Sequence, residues 1–412
     1  MMMGLGSIVG TGVFVSIGIG YVLADAYVLP AIFVATLVAT LNGLSSAQLA
    51  ANHPVSGGTY AYGYKWLTPS LGFSAGTMFL VAKSASAATA ALACATILLD
   101  IIGVNDRLAV TGAAIGIVGI TTVLVVGGLK RSNVANLIVV SITLLALACV
   151  IVVGLWQGMT NGGIRNLVKL RPNANVTVVD FLKCCGLMFV AFTGYGRIAT
   201  LGEEIVEPRI NIPRAIVLTL VFSGILYALV GLVFVICGPQ LEWDGELSSP
   251  RLEDLAQVFD VVMLEWMIRL GALTAMLGVL LNLVLGLSRV YFAMGRNDDL
   301  PASLGRVSDI SGSPILSVWL TGLVIAGLTL MGDIRWTWSF SAFTVLVYYA
   351  LTNLAATRLT PAERYCPALL SWLGFTMCLS LAFFISPVFL AVGSGILVVA
   401  NLCRWLLRSN ES

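Results

Sequence analysis

Long apolar runs divide this chain, and each is close to the length a helix needs to cross a bilayer. A spanning helix takes about 20 apolar residues. About twelve candidate runs lie at 1–23, 28–50, 71–99, 108–127, 134–156, 181–201, 214–237, 266–294, 314–331, 336–355, 367–386 and 388–407. In hydrocarbon every backbone N–H and C=O must find its partner inside the chain, so only helices and closed barrels cross. Runs this long predict an all-α, polytopic membrane protein. Ser386-Pro387 separates the last two, because proline cannot continue the helical hydrogen-bond ladder. The longest polar stretches, about 157–180 and 239–265, are too short for separate domains. Residues 1–412 therefore read as one membrane domain.

Charge agrees with this. Only 10% of residues are charged and 58% are hydrophobic, whereas soluble domains carry about 25% charge. The lipid bilayer is the expected solvent. A net charge of +2 offers no basic stripe for nucleic acid. With the N-terminus in the cytoplasm, thirteen Lys and Arg residues fall on the cytoplasmic side and eight outside. That bias favours this orientation in the cell membrane. No charged region of a cleavable signal precedes the first run, so the first helix itself is expected to direct insertion. The eight cysteines lie mostly inside apolar runs with no Cys-x-x-Cys pair, which suits packing rather than disulfides or zinc. His53 alone cannot build a histidine metal site. No cofactor and no metal are expected.

Two runs should not be simple helices. Gly4, Gly6, Gly10, Thr11 and Gly12 crowd the first, and each interior glycine costs a helix about 1 kcal/mol. A break is expected near Gly10-Thr11-Gly12. Irregular backbone at membrane depth is tolerated only against protein or a water-filled cavity, and a broken helix presents free N–H groups to an anion such as a carboxylate. Close packing through small residues is the other reading. The second is Phe189-Val190-Ala191-Phe192-Thr193-Gly194-Tyr195-Gly196, five spans later. Glycine-interrupted spans at matching positions of two halves point to a transporter site.

At these two segments the sequence resembles the amino acid–polyamine–organocation superfamily of permeases, and within it the branch of cationic amino acid transporter relatives. Gly6-Ser7-Ile8-Val9-Gly10-Thr11-Gly12-Val13-Phe14 resembles the first-helix signature. The likeness continues at Pro54-Val55-Ser56-Gly57-Gly58-Thr59-Tyr60, at Gly202-Glu203-Glu204 through Ile212-Pro213-Arg214, and from Ser288-Arg289 to Leu300-Pro301. The resemblance implies two inverted five-helix repeats (1–156 and 181–355) with helices 1 and 6 broken, plus two peripheral helices (367–407). It implies alternating access and an amino acid substrate. It assigns carboxylate binding to Gly10, Thr11 and Gly12, and ammonium binding to the carbonyls of Ile8, Phe189 and Val190. Phe192 and Tyr195, beside Gly194, match positions that line the side-chain pocket.

The chain departs from the pattern in three places. It begins within the first helix, without the usual cytoplasmic tail. Thr143 stands where some relatives carry a lysine on the fifth span, and Gly196 where many carry an acidic residue. Lys83 lies mid-span in the third run. Its insertion costs at least about 2.5–3.5 kcal/mol, so it reads either as a proton-coupling group or as a structural or snorkelling charge. Glu203 and Glu204, at the end of the sixth run, read as gating acids or as a solvated helix end with structural ion pairs. Ser288, with Asn282, is a weak candidate for a sodium site.

These features favour a secondary amino acid transporter, coupled to protons or working by exchange, with sodium coupling as the alternative. With no carboxylate beside Gly196, neutral substrates are expected over cationic ones. A channel would show charged rings or a repeated pore motif. A membrane-embedded enzyme would show clustered catalytic groups. Neither pattern is present, so the chain is expected not to be an enzyme.

Overall fold

The apolar runs fold as helices whose ends are set by recognisable chemistry. The structure, a computed structural model, describes residues 2–55, 57–104, 106–128, 133–160, 176–200, 207–240, 250–308 and 314–409. The helices are α1 (Met2–Ile8), α2 (Ile17–Ala24), α3 (Val28–Asn52), α4 (Thr59–Trp66), α5 (Pro69–Ile101), α6 (Arg107–Val126) and α7 (Asn133–Thr160). They continue with α8 (Val178–Phe192), α9 (Gly196–Thr200), α10 (Pro208–Cys237), α11 (Leu252–Val258) and α12 (Val262–Arg296). The last are α13 (Ile315–Thr329), α14 (Ile334–Thr357), α15 (Ala368–Ile385) and α16 (Pro387–Ser409).

Caps explain several boundaries. Thr68 accepts from the Leu71 amide, with Pro69 at the first helical position of α5, where its missing N–H costs nothing. Asp106 and Asp333 cap α6 and α14 in the same manner, and Thr177 with Asp180 forms a capping box on α8. Ser386 is extended and separates α15 from α16, as the Ser-Pro step requires.

Ten helical stretches are long and apolar enough to cross a membrane. Twelve runs become ten because runs 1 and 2 follow each other without a loop, only the 3₁₀ turn Asp25–Tyr27, with Asp25 at φ 49°, dividing α2 from α3, and because α13 has only 15 residues. The helices pack so that a shift of five spans exchanges their contacts. α3 packs on α10, α5 on α12 and α6 on α13, each a helix on its own counterpart. α5 on α14 is mirrored by α12 on α7, and α3 on α8 by α10 on α1 and α2. A shift by an odd number of spans is the pattern that two inverted repeats would produce. α15 and α16 pack outside this arrangement, and much of α16 faces outwards through Val392, Val398, Val399, Leu402 and Trp405.

Candidate substrate site at two helix breaks

The first break follows from glycine placement. α1 ends at Ile8, where the Val9 amide still reaches the Leu5 carbonyl at 2.7 Å. The chain then restarts. The amides of Val13 and Phe14 both turn to the Gly10 carbonyl, at 3.1 and 3.3 Å, and residues Gly12–Ser16 form a π-helical turn. The first amides of a restarted helix have no partner within it, and here they belong to the Gly10–Gly12 stretch. The Thr11 hydroxyl is buried and has no hydrogen-bond partner among the described residues.

The second break lies directly opposite. α8 ends at Phe192, Thr193–Tyr195 make one 3₁₀ turn, and α9 continues from Gly196. The two breaks touch. A methyl on Gly12 would sit 2.9 Å from the Ala191 Cα, and one on Gly194 would sit 2.6 Å from the Ile8 nitrogen. Only glycine permits both approaches. The Tyr227 hydroxyl on α10 donates to the Ile8 carbonyl at 2.7 Å and lies 3.2 Å from the Ala191 carbonyl. It ties one broken end to the other.

A cavity of about 110 Å³ opens beside this crossing. Ile8, Thr11, Gly12, Val190, Ala191, Thr193 and Gly194 line it from the breaks, Lys83 and Ser86 from α5, Asn282 from α12 and Trp338 from α14. Towards the end of the bundle that carries the N-terminus it continues past Gly57, Arg197, Gly286 and Arg289. The Lys83 ammonium donates to Thr193 Oγ1 at 2.9 Å, and Thr193 Oγ1 donates in turn to the Val190 carbonyl at 2.8 Å. Ser86 pairs with Ser341 at 2.7 Å.

The expected site residues thus divide. Ile8, Thr11, Gly12, Val190, Gly194 and Lys83 meet at the cavity. Gly10 lies in the break but faces Val279 and the Ala275 carbonyl of α12. Phe189, Phe192 and Tyr195 do not line this cavity and pack instead on tyrosines of α10 and α14. Phe192 stacks on Tyr227 with ring centres 4.9 Å apart, and Phe189 and Tyr195 pack on Tyr349 at 5.7 and 5.5 Å. The 3₁₀ turn directs the small residues, not the aromatic ones, at the cavity. Thr143 and Ser288 are buried away from it, and each hydroxyl donates to its own helix, at Val139 and Leu285. Glu203 and Glu204 lie outside the described residues. Thr193, Ser86, Trp338 and Tyr227 were not singled out by the sequence. Thr193 stood within a recognised motif, whereas Tyr227 is a lone tyrosine in an apolar run and gives no signal.

A buried ion cluster lies outside the cavity lining. The Pro250 carbonyl lies against Gly18 of α2, leaving no room for a side chain there. Arg251 forms an ion pair with Asp100, the C-terminal end of α5, and lies 3.8 Å from Glu253 and 3.6 Å from Asp254. Glu253 is buried, and burial pushes its carboxyl up to about 7 against the pull of Arg251. A carboxyl raised in this way binds its proton more firmly when folded. Its stabilising contribution is complete below the ordinary carboxyl range and is lost as pH rises through about 7. Wild-type protein in detergent should therefore lose about 2 kcal/mol more stability than Glu253→Gln between pH 5 and 8. Parallel melting curves for the two would show that Glu253 does not titrate there.

Two broken helices that touch beside a cavity carrying a few polar groups are the pattern of a membrane transporter. The sequence model for amino acid permeases matches residues 1–407, and the chain belongs to that family. It is thus an integral membrane transporter of amino acids and not an enzyme. Among its relatives is an uncharacterised transporter of Mycobacterium tuberculosis, 35% identical over 404 residues, covering 97% of this chain and 88% of that protein. The branched-chain amino acid permease of Bacillus subtilis is 24% identical over 431 residues, covering 98% and 89%. A vacuolar cationic amino acid transporter of Arabidopsis thaliana is 26% identical over 356 residues, covering 80% and 57%.

Proposed function

We propose that this permease carries amino acids by alternating access, with the substrate held between the two breaks. The carrying observation is the buried Thr11 hydroxyl, without a partner among the described residues, at the start of a restarted helix. A substrate carboxylate would take this hydroxyl and the neighbouring amides, where the helix dipole is positive. The ammonium would take carbonyls at the broken ends, Ile8, Val190 and Ala191, beside the Tyr227 clasp. The cavity does not suit cationic substrates. Lys83, Arg197 and Arg289 line it, and no carboxylate does so among the described residues. Neutral or acidic amino acids remain.

Proton coupling through Lys83, or exchange, is the favoured drive. For sodium, Thr143 and Ser288 would supply hydroxyl oxygens, yet neither lines the cavity. The distribution of Lys and Arg supports a cytoplasmic N-terminus in the cell membrane. Radiolabelled uptake into proteoliposomes tests the reading. An imposed pH gradient should drive uptake, and replacing sodium by choline should leave it unchanged. In Lys83→Met the response to the pH gradient should disappear. Unchanged rate and pH dependence in that variant would remove Lys83 from coupling. Failure of the folded wild-type protein to take up or exchange any amino acid would overturn the reading as a whole.

A further inference from the structure

We propose that Lys83 selects the substrate, and that the substrate is an amino acid with a second carboxylate, which pairs with the Lys83 ammonium. This rests on the amino acid transport reading above and narrows it.

Lys83 lies midway along α5 with only 9% of its surface exposed, and its ammonium reaches the cavity. No described carboxylate forms an ion pair with it. An ammonium has three N–H donors. One is given to Thr193 Oγ1 at 2.9 Å, and the Thr193 carbonyl stands at 3.5 Å, the limit of a useful bond. A buried charge held by one neutral hydroxyl is poorly compensated and calls for an anion. The protein provides none at the cavity among the described residues, so the counter-charge comes with the ligand.

The direction of the hydrogen bonds supports this. Thr193 Oγ1 spends its own proton on the Val190 carbonyl, so it can only accept from Lys83. The pair therefore points donors, not acceptors, at the cavity. A neutral zwitterion would place its ammonium at Ile8, Val190 and Ala191, beside the Lys83 ammonium, with like charges facing each other. A dicarboxylic amino acid places one carboxylate at Thr11 and Gly12 and the other between its ammonium and Lys83. The spacing suits a small molecule. Gly194, next to Thr193, touches Ser7 and Ile8, so the lysine and Thr11 lie on the two sides of a single helix crossing. Ser86, one turn along α5 from Lys83, also lines the cavity, but its proton goes to Ser341, which donates in turn to the Ala82 carbonyl, so the ammonium is the donor left for the carboxylate.

The test is uptake of radiolabelled glutamate, aspartate, leucine and lysine by wild-type proteoliposomes, with unlabelled competitors. Glutamate or aspartate should exceed leucine by about tenfold or more, the scale set by losing one partner of a buried charge pair. Lys83→Gln should lower acidic uptake by about tenfold or more, while Lys83→Arg retains part of it. Because a variant can fail to fold, melting of the wild-type protein in detergent provides a second readout. Glutamate or aspartate should raise the midpoint, and leucine should not. Leucine uptake equal to or above that of the acidic substrates, uninhibited by excess glutamate and aspartate, would overturn the assignment and leave the permease reading standing. No uptake of any amino acid would instead remove the reading on which the assignment rests.

Discussion

Gly194→Ala is expected to reduce transport to below about a tenth of the wild-type rate per folded molecule, the largest functional loss from a single methyl group. The added carbon has nowhere to go. It would lie against the Ser7 carbonyl and 2.6 Å from the Ile8 nitrogen. Both are backbone atoms of the first break, so no rotamer change relieves the contact. Overpacking of this kind costs about 1–3 kcal/mol in a well-packed core. Here the strain is released by moving one break off the other, which displaces the Ile8 carbonyl and the Thr11 hydroxyl from the cavity. Gly116→Ala is the control, since a methyl there meets nothing within 4 Å and alanine favours the helix. Uptake is measured against the amount of monodisperse protein. Wild-type uptake by Gly194→Ala would show that the two breaks do not need their close contact.

The spans and both breaks were readable because lipid enforces a long apolar helix and glycine interrupts one visibly. Direction was less legible. Phe192 and Tyr195 flank the break in sequence, yet only one face of a three-residue turn reaches the cavity, and Tyr227 and Tyr349 of distant helices decide which. Helix ends also ran past the apolar runs. α5 extends to 69–101 and α12 to 262–296, because interfacial polar residues continue a helix without cost. Lys83 stood out as a lone charge in an apolar run, but its bond to Thr193, 110 residues away, depends on tertiary packing.

A comparable long-range charge secures the last helix, and breaking it should produce the largest loss of stability. Lipid tails are as apolar as the faces of α16, so the hydrophobic effect does little to hold that helix to the bundle. Arg404 does so through polar contacts. Its Nε lies 2.6 Å from Asp299 Oδ1, just past the end of α12, and its NH2 donates to the Tyr64 hydroxyl at 2.8 Å. The Tyr60 hydroxyl donates to the other Asp299 oxygen at 2.7 Å, Tyr64 donates to it as well, and Asn297 donates to the Tyr60 oxygen at 3.0 Å. Asp299 has no exposed surface. Arg404→Met would keep the apolar stem and leave that carboxylate buried without its cation, a loss of about 3–5 kcal/mol. The melting midpoint in detergent should fall by on the order of 10 °C. Arg404→Met combined with Asp299→Asn should recover most of that fall, because the neutral amide still accepts from Tyr60 and Tyr64 and no charge is stranded. If the single variant melts with the wild type, or the double variant melts below the single one, the ion pair is not what fastens α16 to the bundle.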